Sequence, residues 1–482
     1  MIFIKWDKIF ICTIILLAGC ICVGSTFAAD VSVSDVNNDV NLLSANADLS
    51  QKDIEINNLQ AGKGSFTDLE TEIKSAEEGA TINLTKDYVF TDGDTPLAID
   101  IFKSITIDGK GHTIDGNYSN SIFYLGADNI ILKNINFVNA YDTHNGGAIL
   151  IANSATVTNC NFTNCKSGSD YKGGAICIFD CPATVEGCNF VNCSAKNGGA
   201  IYCGSPNSTV DNCKFLNCSA TNGGAIYWED IGGSITNCNF SNNLAKDEGN
   251  SIFVNASNIY IYGNQFTHTD ENGADCEIYL GNNATGADLI ENVMLTKSPS
   301  IYYYAVHIGC GEQFGDWADV FLKGNNFKNN CIYNEGEITS PIKMVFGSKV
   351  VKKGEKALIT GTIYDDNGNY ILSAGDVFAY LNDNLSKGYI GIPCDLFYYF
   401  HIPTKDLKPG VYKLSSSIQE ENDNVTFEGN LTVLPVDKPN PKPNPKNLNN
   451  QNGIPMEHTG NPLFVLLISL VAIGLGSLKG KL

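Results

Sequence analysis

Residues 188–201 read CNFVNCSAKNGGAI, and residues 213–226 read CKFLNCSATNGGAI. Looser copies of this phrase occur between residues 134 and 252, where a phenylalanine recurs at steps of 25, 28, 25 and 25 residues and a Gly-Gly-Ala-Ile block at steps of 27, 25 and 25. The recurring residues are Phe137, Phe162, Phe190, Phe215 and Phe240, and the blocks begin at Gly146, Gly173, Gly198 and Gly223. A fixed period of this length indicates a solenoid, in which each repeat buries its apolar side only against its neighbours.

The residues within one repeat predict strands. Residues 156–162 alternate small or apolar side chains with polar ones, as in a strand buried on one face, and Asn, Gly, Ser and Asp fill the gaps between such segments. A leucine-rich repeat would need a scaffold of leucines, and a propeller blade would need roughly 40 residues. About 25 residues suffice for one coil of three short strands, so we expect a right-handed parallel β-helix over residues 63–336 with a rise of about 4.8 Å per coil.

Equivalent positions of successive coils should stack into ladders. We expect the alanine and isoleucine of each Gly-Gly-Ala-Ile block and the recurring phenylalanines to point inward, with Phe266 and Phe327 continuing the phenylalanine ladder less regularly. At the front, Phe66, Leu69, Ile73 and Ala76 have helical spacing, and Thr67-Asp68-Leu69-Glu70 has the form of a capping box. A short helix there would cover the exposed strand edges of the first coil.

These motifs carry a family resemblance. Gly-Gly-Ala-Ile paired with Phe-Val-Asn-Cys, Phe-Thr-Asn-Cys or Phe-Leu-Asn-Cys resembles the repeat of chlamydial polymorphic outer membrane proteins. Residues 66–116, with the run ITIDGKGHTIDG at 105–116, resemble the start of pectin-lyase-like β-helices. The full layout is similar to the adhesin-like surface proteins of methanogenic archaea. The resemblance implies a β-helix fold and a surface location, and it names no ligand.

The period disappears after residue 340. Strand-like runs occur at 342–346, 356–364, 376–381, 397–402, 410–418 and 425–434, separated by turn signals such as Asp365-Asp366-Asn367-Gly368. Short strands at this spacing predict a β-sandwich over residues 340–434. Residues 354–361 and 410–412 are similar to the Ig-like domains of bacterial and archaeal surface proteins, which implies a spacer or adhesive module.

Both ends of the chain predict export and anchoring. Residues 1–29 have the lysines, apolar run and small-residue end of a secretory signal peptide, and Cys20 lies in a sequence that also resembles a lipobox. Residues 30–62 form a leader without clear structure. Residues 435–461 are a Pro/Asn-rich stalk, and residues 462–479 are a short apolar span followed by Lys481, which places the C-terminus in the cytoplasm. Residues 456–460 have the layout of a sorting signal without its Leu-Pro.

Charge and cysteine content narrow the function. The formal net charge is −21 and all 31 basic residues are lysines, which argues against nucleic-acid binding. Seven of the 17 cysteines fall at two repeated positions, one of which is interchangeable with Ile135. We therefore expect buried ladders of reduced thiols, with disulfides between coils or metal binding as alternatives.

Glycosylation is expected at a subset of the twelve Asn-x-Ser/Thr sites, but not at Asn161 and Asn239, which are interpreted as turn residues. The sites are Asn83, Asn117, Asn161, Asn192, Asn207, Asn217, Asn239, Asn255, Asn283, Asn384, Asn424 and Asn430.

A catalytic site is hard to assemble from this sequence. Pectate lyases, whose fold this sequence resembles, use calcium-binding aspartates and a basic residue, commonly arginine. This chain contains no arginine. Asp108 and Asp115, which flank His112, could supply the carboxylates of a hydrolase, but two Asp-Gly turns with a surface histidine are the preferred interpretation. We therefore predict no catalytic, cofactor-binding or metal-binding residues, no cofactor, and no enzymatic activity.

The predicted function is attachment at the cell surface. Glycan contacts could come from Tyr302, Tyr303, Tyr304 and Trp317 and from the loops Gly263–Asn292 and His307–Val320, although strand packing explains the same aromatic residues. The partners would be the membrane, through one span, and glycans or proteins of other cells. The alternatives are a polysaccharide lyase or hydrolase and a purely structural envelope component.

Overall fold

The computed structural model describes residues 62–269, 273–295, 303–310, 318–328, 330–373, 376–394, 397–419 and 425–436. Within these limits the chain forms a parallel β-helix followed by a smaller, mainly antiparallel β region. The predicted signal peptide (1–29), nearly all of the leader (30–62), all but the start of the stalk (435–461) and the apolar span (462–479) lie outside the described residues. No helix within the described residues has the length and apolarity needed to cross a membrane.

The β-helix has three long faces, named here after the residues stacked inside them. The ten strands of the Phe sheet are Gly64–Ser65, Tyr88–Val89, Thr113–Asp115, Asn136–Val138, Asn161–Thr163, Asn189–Val191, Lys214–Leu216, Asn239–Ser241, Gln265–Thr267 and Val293–Met294. The eleven strands of the Val sheet are Thr81–Asn83, Thr106–Asp108, Ile130–Lys133, Ala155–Thr158, Ala183–Glu186, Thr209–Asp211, Ser234–Thr236, Tyr260–Tyr262, Ala287–Ile290, Asp319–Lys323 and Glu337–Ile338. The strands of the Ile sheet are Ile99–Ile101, Phe123–Leu125, Ile149–Ile151, Ile176–Phe179, Ile201–Gly204, Ile226–Trp228, Ile252–Val254, Cys276–Leu280, Tyr304–Ile308 and Cys331–Asn334. Short parallel pairs, Tyr141–Asp142 with Lys166–Ser167 and Ser219–Asn222 with Leu244–Glu248, lie between the Phe and Ile sheets in the chain order.

The predicted ladders are confirmed. Phe162 pairs in register with Phe137 and Phe190, and their ring centroids are stacked 4.8 Å apart on both sides. The expectation that the ladder becomes irregular at Phe266 is wrong, because its ring stacks on Phe240 at 4.9 Å. The irregularity comes one coil later, where Met294 takes the position. The alanines and isoleucines of the Gly-Gly-Ala-Ile blocks are fully buried, as expected.

Each coil turns with left-handed backbone at asparagine or glycine. In one coil, Asn159 (φ 51°) separates the Val and Phe strands, Asn164 (φ 56°) ends the Phe strand, and Gly173 (φ 67°) precedes the Ile strand. Asparagine tolerates this conformation better than other side-chain-bearing residues, and glycine adopts it without steric cost. The recurring Asn-x-x-Phe-x-Asn spacing therefore follows from the two turns that flank the Phe strand.

The second glycine of each pair is needed for close approach between coils. A Cβ atom on Gly199 would lie 2.1 Å from the carbonyl oxygen of Gly224 in the next coil, and Gly174 meets Gly199 at the same distance. No side chain fits there, so consecutive coils pack backbone against backbone at this corner.

The cysteine ladders consist of buried thiols. The seven ladder cysteines are free and buried, as the preferred sequence interpretation expected; they are Cys160, Cys165, Cys188, Cys193, Cys213, Cys218 and Cys238. Cys160 Sγ approaches the Leu132 carbonyl of the coil before it at 3.8 Å, and Cys160 N–H donates to Cys188 Sγ of the coil after it at 3.4 Å. From Asn264 onward, asparagine replaces cysteine: Cys238 N–H donates to its Oδ1 at 2.9 Å. From Cys160 onward the position thus holds a small side chain that can accept a backbone hydrogen bond from the coil before it, which explains the thiols without disulfides.

The front end is covered by helix α1, Phe66–Ser75, which buries Phe66, Leu69 and Ile73 as predicted. The predicted capping box is displaced by two residues, because Ser65 caps the helix and Asp68 returns the hydrogen bond.

Asp94 fastens this end of the β-helix. It accepts hydrogen bonds of 2.7–2.8 Å from the backbone and hydroxyl groups of Thr67 and Thr91. Burial would raise the pKa of Asp94, but these hydrogen bonds outweigh it and lower the pKa to about 2.

The C-terminal region contains two linked sheets. Its strands are Ile342–Phe346, Lys349–Lys352, Lys356–Tyr364, Tyr370–Ser373, Phe378–Leu381, Tyr389–Cys394, Phe397–Pro403, Gly410–Ser416, Val425–Glu428 and Asn430–Leu434. Strands therefore occur in all six predicted runs, and the strands at 349–352, 370–373 and 389–394 are additional. The sequence missed them because they are short and carry no clear alternation.

This region is hydrogen-bonded onto the last coil. Tyr370–Ser373 pairs in parallel with Cys331–Asn334 and antiparallel with Lys356–Tyr364. The side-chain amide of Asn369 donates to the Asn325 carbonyl at 2.7 Å. The hairpin therefore extends the Ile sheet and covers strand edges that would otherwise be open at the end of the β-helix.

Candidate functional site

The structure does not assemble the sequence-proposed carboxylate pair. The Asp108 carboxylate is buried and contacts Lys110 Nζ at 2.9 Å, Lys133 Nζ at 3.5 Å and Asn134 Nδ2 at 2.9 Å. Burial would raise the pKa of Asp108, but these hydrogen bonds hold it well below its usual range. Asp108 belongs to the Val sheet and Asp115 to the Phe sheet.

The other two residues proposed from the sequence, His112 and Asp115, have local structural contacts. His112 Nδ1 lies 3.1 Å from Asp87, and Asp115 accepts the backbone N–H of Asn117 at 2.9 Å. Each of the three proposed residues thus has a local structural partner, as the alternative interpretation stated.

The proposed aromatic contacts are only partly suited to binding. Tyr302 and Trp317 lie outside the described residues. Tyr303 is buried, stacks on His268 at 4.8 Å and donates its hydroxyl to Glu277, so it is a core residue. Tyr304 is half-buried and stacks on Tyr333 at 5.0 Å.

Both asparagines that we expected to escape glycosylation, Asn161 and Asn239, are strand residues rather than the predicted turn residues. Asn161 and Asn239 each begin a strand of the Phe sheet. The amide of Asn161 donates to Asn136 at 2.7 Å and accepts from Asn189 at 2.7 Å. That amide nitrogen is engaged in a ladder along the outer surface, which is a physical reason for it to remain unmodified.

A cleft of about 540 Å³ opens on the outer side of the first coils. Its floor consists of Asp100, Tyr124 and Leu150, which stand in register on three adjacent strands of the Ile sheet. One wall is the segment 96–98, and the opposite wall is the segment 141–144. Its size lies within the range of about 300–1,000 Å³ that is typical of small-molecule sites.

Aromatic and acidic groups line this cleft together. Tyr124 and Tyr141 are in the lining, and Tyr124 contacts Phe102, which lies outside it and is 65% exposed, with ring centroids 5.7 Å apart. A Cβ on Gly126 would lie 2.3 Å from the Phe102 ring, so glycine is what lets that ring lie across the strand. On the opposite wall, Asp142 accepts the His144 N–H at 2.8 Å. The cleft therefore offers an apolar platform beside carboxylate and imidazole groups.

A row of side chains continues from the cleft along the outer face of the Ile sheet. Strand register aligns Tyr124, Leu150, Cys177, Tyr202, Tyr227, Phe253, Tyr279, His307 and Tyr333. Ring centroids from Tyr202 to Tyr279 are 4.6–5.6 Å apart and their planes are within 22° of parallel. Stacked rings cover one another's faces, and Cys177, Tyr202 and Tyr227 are buried, so the middle of this row is a packed apolar cluster.

A polar row runs beside the aromatic one. Lys172, Asn197, Asn222 and Glu248 pair in register, each immediately before a Gly in its repeat. Lys172 Nζ contacts the Tyr202 hydroxyl at 2.5 Å and Glu229 at 3.0 Å. The polar row therefore gives four successive coils a partly exposed hydrogen-bonding group beside the packed aromatic row.

A mixed cluster of ionisable residues lies at the end of these rows. Glu248, Asp275, Cys276 and His307 bring one potential ligand atom each to within 4.8 Å of one another. Burial raises the pKa of Glu248, and the neighbouring Asp275 and Glu335 raise it further against the opposing effect of His307. Burial also raises the pKa of the Cys276 thiol.

The cleft and both rows were not predicted from the sequence, although the sequence contains a signal for the rows. The residue before each Gly-Gly and the residue after each Ala-Ile recur with the same period as the core residues, so they must share a face. The cluster was missed because it combines different repeat positions in the less regular part of the helix: Glu248 belongs to the polar row and His307 to the aromatic row, whereas Asp275 and Cys276 belong to neither.

Comparison with known proteins identifies the architecture. A family described as "Right handed beta helix region" matches residues 98–266 and 146–377, which together exceed half of the chain. No curated protein matches. A tailspike protein of E. coli bacteriophage HK620 in complex with a pentasaccharide is similar in structure at 12% identity, covering 70% of this chain and 79% of the tailspike, with a TM-score of 0.23. The A-module of mannuronan C-5 epimerase AlgE4 from Azotobacter vinelandii is similar at 10% identity over 54% of this chain and 78% of the module, with a TM-score of 0.22.

Proposed function

Because the chain belongs to the right-handed β-helix family, we propose that it uses the outer face of its stacked coils to bind glycans at a cell surface. The observation that carries this proposal is the cleft over Asp100, Tyr124 and Leu150. It combines a concave shape, aromatic side chains and fixed hydrogen-bonding groups, which are the features of a sugar site. The partly exposed polar row extends the same face over the following coils.

The chemistry of the cleft favours particular sugars. Tyr124 and Tyr141 in the cleft offer apolar contact to the C–H face of a pyranose, as aromatic side chains do for amphipathic ligands, and the exposed Phe102 ring lies beside Tyr124, outside the lining. Asp100 and Asp142 accept hydrogen bonds from hydroxyl or ammonium groups. With a net charge of −21, the chain would repel polyuronides, so neutral or amino sugars are the expected ligands.

The cellular role we propose is that of an adhesin-like surface protein, of the kind found in methanogenic archaea. A signal peptide at residues 1–29 would export the chain, and the span at 462–479 would hold it with its C-terminus in the cytoplasm. The stalk and an Ig-like C-terminal region would then raise the β-helix above the membrane. Protease treatment of intact cells tests this arrangement, since a surface protein loses its β-helix and a cytoplasmic one stays whole.

A binding assay tests the glycan proposal. The purified protein is applied to a glycan array, and the affinity for the best ligand is then measured by calorimetry for Tyr124→Ala and for Tyr260→Ala. Tyr260 is the matched control, because it is an exposed tyrosine on the Val sheet, outside the cleft. We expect Tyr124→Ala to weaken binding at least about tenfold, equivalent to about 1.4 kcal/mol, and Tyr260→Ala to leave it unchanged.

Two other results would redirect the assignment. An array without ligands, or equal affinity of both variants, would contradict glycan binding in the cleft. Release of shortened or unsaturated sugars during incubation would favour the lyase or hydrolase alternative over our proposal that the chain is not an enzyme. Ordered packing on isolated envelopes, without any ligand, would favour the structural alternative.

A further inference from the structure

The cluster at the end of the aromatic row is built like a metal centre. Glu248, Asp275, Cys276 and His307 come from three successive coils, and their ligand atoms lie within 4.8 Å of one another. A tetrahedral ion with bonds of about 2.0–2.3 Å holds its ligand atoms roughly 3.3–3.8 Å apart. Closing the cluster around an ion therefore needs side-chain movements on the order of 1 Å, with no change in the backbone register.

His307 is oriented in the way that ligating histidines are. Its Nε2 faces Glu335 Oε2 at 3.4 Å, while its Nδ1 faces Asp275 Oδ1 at 4.0 Å. Nδ1 is buried and has no hydrogen-bond partner among the described residues. A carboxylate on the far nitrogen that fixes the ring, with the near nitrogen left for an ion, is the usual outer-shell arrangement of metal-bound histidine.

The surrounding charge and packing support the same conclusion. Three carboxylates, those of Glu248, Asp275 and Glu335, surround one imidazole, and neither Glu248 nor Asp275 pairs with a lysine within the described residues. The rings of Tyr279 and Tyr333 pack edge-on against His307 at 4.8 and 4.9 Å, so the imidazole is held between two coils. A divalent cation would neutralise this local excess of negative charge.

We propose that Glu248, Asp275, Cys276 and His307 bind one divalent transition-metal ion with the coordination chemistry of zinc. Thiolate and imidazole ligands disfavour calcium and magnesium, which prefer oxygen alone, whereas zinc accepts sulfur, nitrogen and carboxylate oxygen together. Four protein ligands fill a tetrahedral shell, so the ion has a structural role. It links three coils where the repeats lose their regularity, and Cys276 releases its thiol proton to the buffer on binding.

Metal binding by the full-length protein tests this site. Metal-free protein is titrated with zinc chloride by calorimetry, followed by elemental analysis after dialysis. We expect one zinc per chain and a Tm increase of about 3 °C at a zinc concentration about 100 times the dissociation constant. Asp275→Asn and His307→Gln should lower the affinity at least about tenfold. His401→Ala, which alters an exposed histidine of the C-terminal region, should retain wild-type affinity.

Cobalt chloride identifies the sulfur ligand. Cobalt bound to the wild-type protein should give a thiolate-to-metal charge-transfer band, and Cys276→Ser should remove that band while the exposed Cys310→Ser keeps it. Circular dichroism checks that each variant is folded. The proposal is overturned by substoichiometric zinc, by undiminished zinc affinity in folded Asp275→Asn and His307→Gln, or by a charge-transfer band that follows Cys310. Because none of these readouts involves a sugar, their failure is distinguishable from failure of glycan binding.

Discussion

Phe190 gives the sharpest test of how the β-helix is held together. Its ring is fully buried, and its centroid lies 4.8 Å from that of Phe162 and 4.9 Å from that of Phe215. Truncation of a buried phenylalanine to alanine costs about 3–5 kcal/mol. Each stacked contact contributes about 0.5–1.5 kcal/mol beyond the burial of area, and Phe190 has two. We therefore expect Phe190→Ala to lie at the upper end of the range, about 5 kcal/mol.

The chain itself supplies the matched control. Met294 occupies the same ladder position beside Phe266 and is buried, so methionine fits the space when the ring is absent. Phe190→Met should cost only about 2 kcal/mol, since most of the volume is kept while the ring contacts are lost.

Urea unfolding followed by circular dichroism measures both variants of Phe190 against the wild-type protein. If Phe190→Ala costs less than about 2 kcal/mol, or if the methionine variant is as unstable as the alanine variant, stacking and packing in this ladder are not what stabilises the coils.

Two further predictions concern the turns and the front end. Gly199→Ala places a Cβ 2.1 Å from the Gly224 carbonyl oxygen and should abolish soluble expression, whereas Gly93→Ala, whose nearest neighbouring atom is 3.8 Å away, should express normally. Asp94 has its pKa lowered to about 2, so its stabilisation is present above the ordinary pKa of 3.8 and is lost as the pH falls toward 2. Asp94→Asn should therefore cost about 2 kcal/mol in a urea titration at pH 7 and almost nothing at pH 2, and an equal cost at both pH values would contradict the role of its charge.

Much of the β-helix could be predicted because the same residue types recur at equivalent positions of each repeat, where they meet the same steric and burial requirements. Phe162, Val157 and Ile149 mark the inside of the three sheets, and their equivalents recur in successive coils. Asn159 and Asn164 mark turns for a reason that is local to each residue, namely their tolerance of left-handed backbone. A periodic pattern of this kind can be recognised from the sequence alone.

The candidate site could be predicted only in part, because it depends on what lies between repeats. The segments 96–98 and 141–144 form the walls of the cleft, yet they have no common motif and approach each other only when three coils are stacked. The sequence led instead to Asp108 and Asp115, which are close in the chain but belong to different sheets. In a β-helix, residues about 25 positions apart in the sequence are neighbours in adjacent coils, whereas residues a few positions apart can lie on different faces.

Sequence alone therefore determined the coiled strand architecture, the residues in its interior and the use of small thiols there, since these follow from period, size and backbone preference. Only the tertiary structure decided which outward-facing residues become neighbours. Glu248, Asp275 and His307 meet because parallel pairing brings three coils into register, and Asn369 reaches Asn325 because the C-terminal hairpin pairs with the last coil. Contacts across strands depend on register, which a single sequence specifies only through the packing of the whole core.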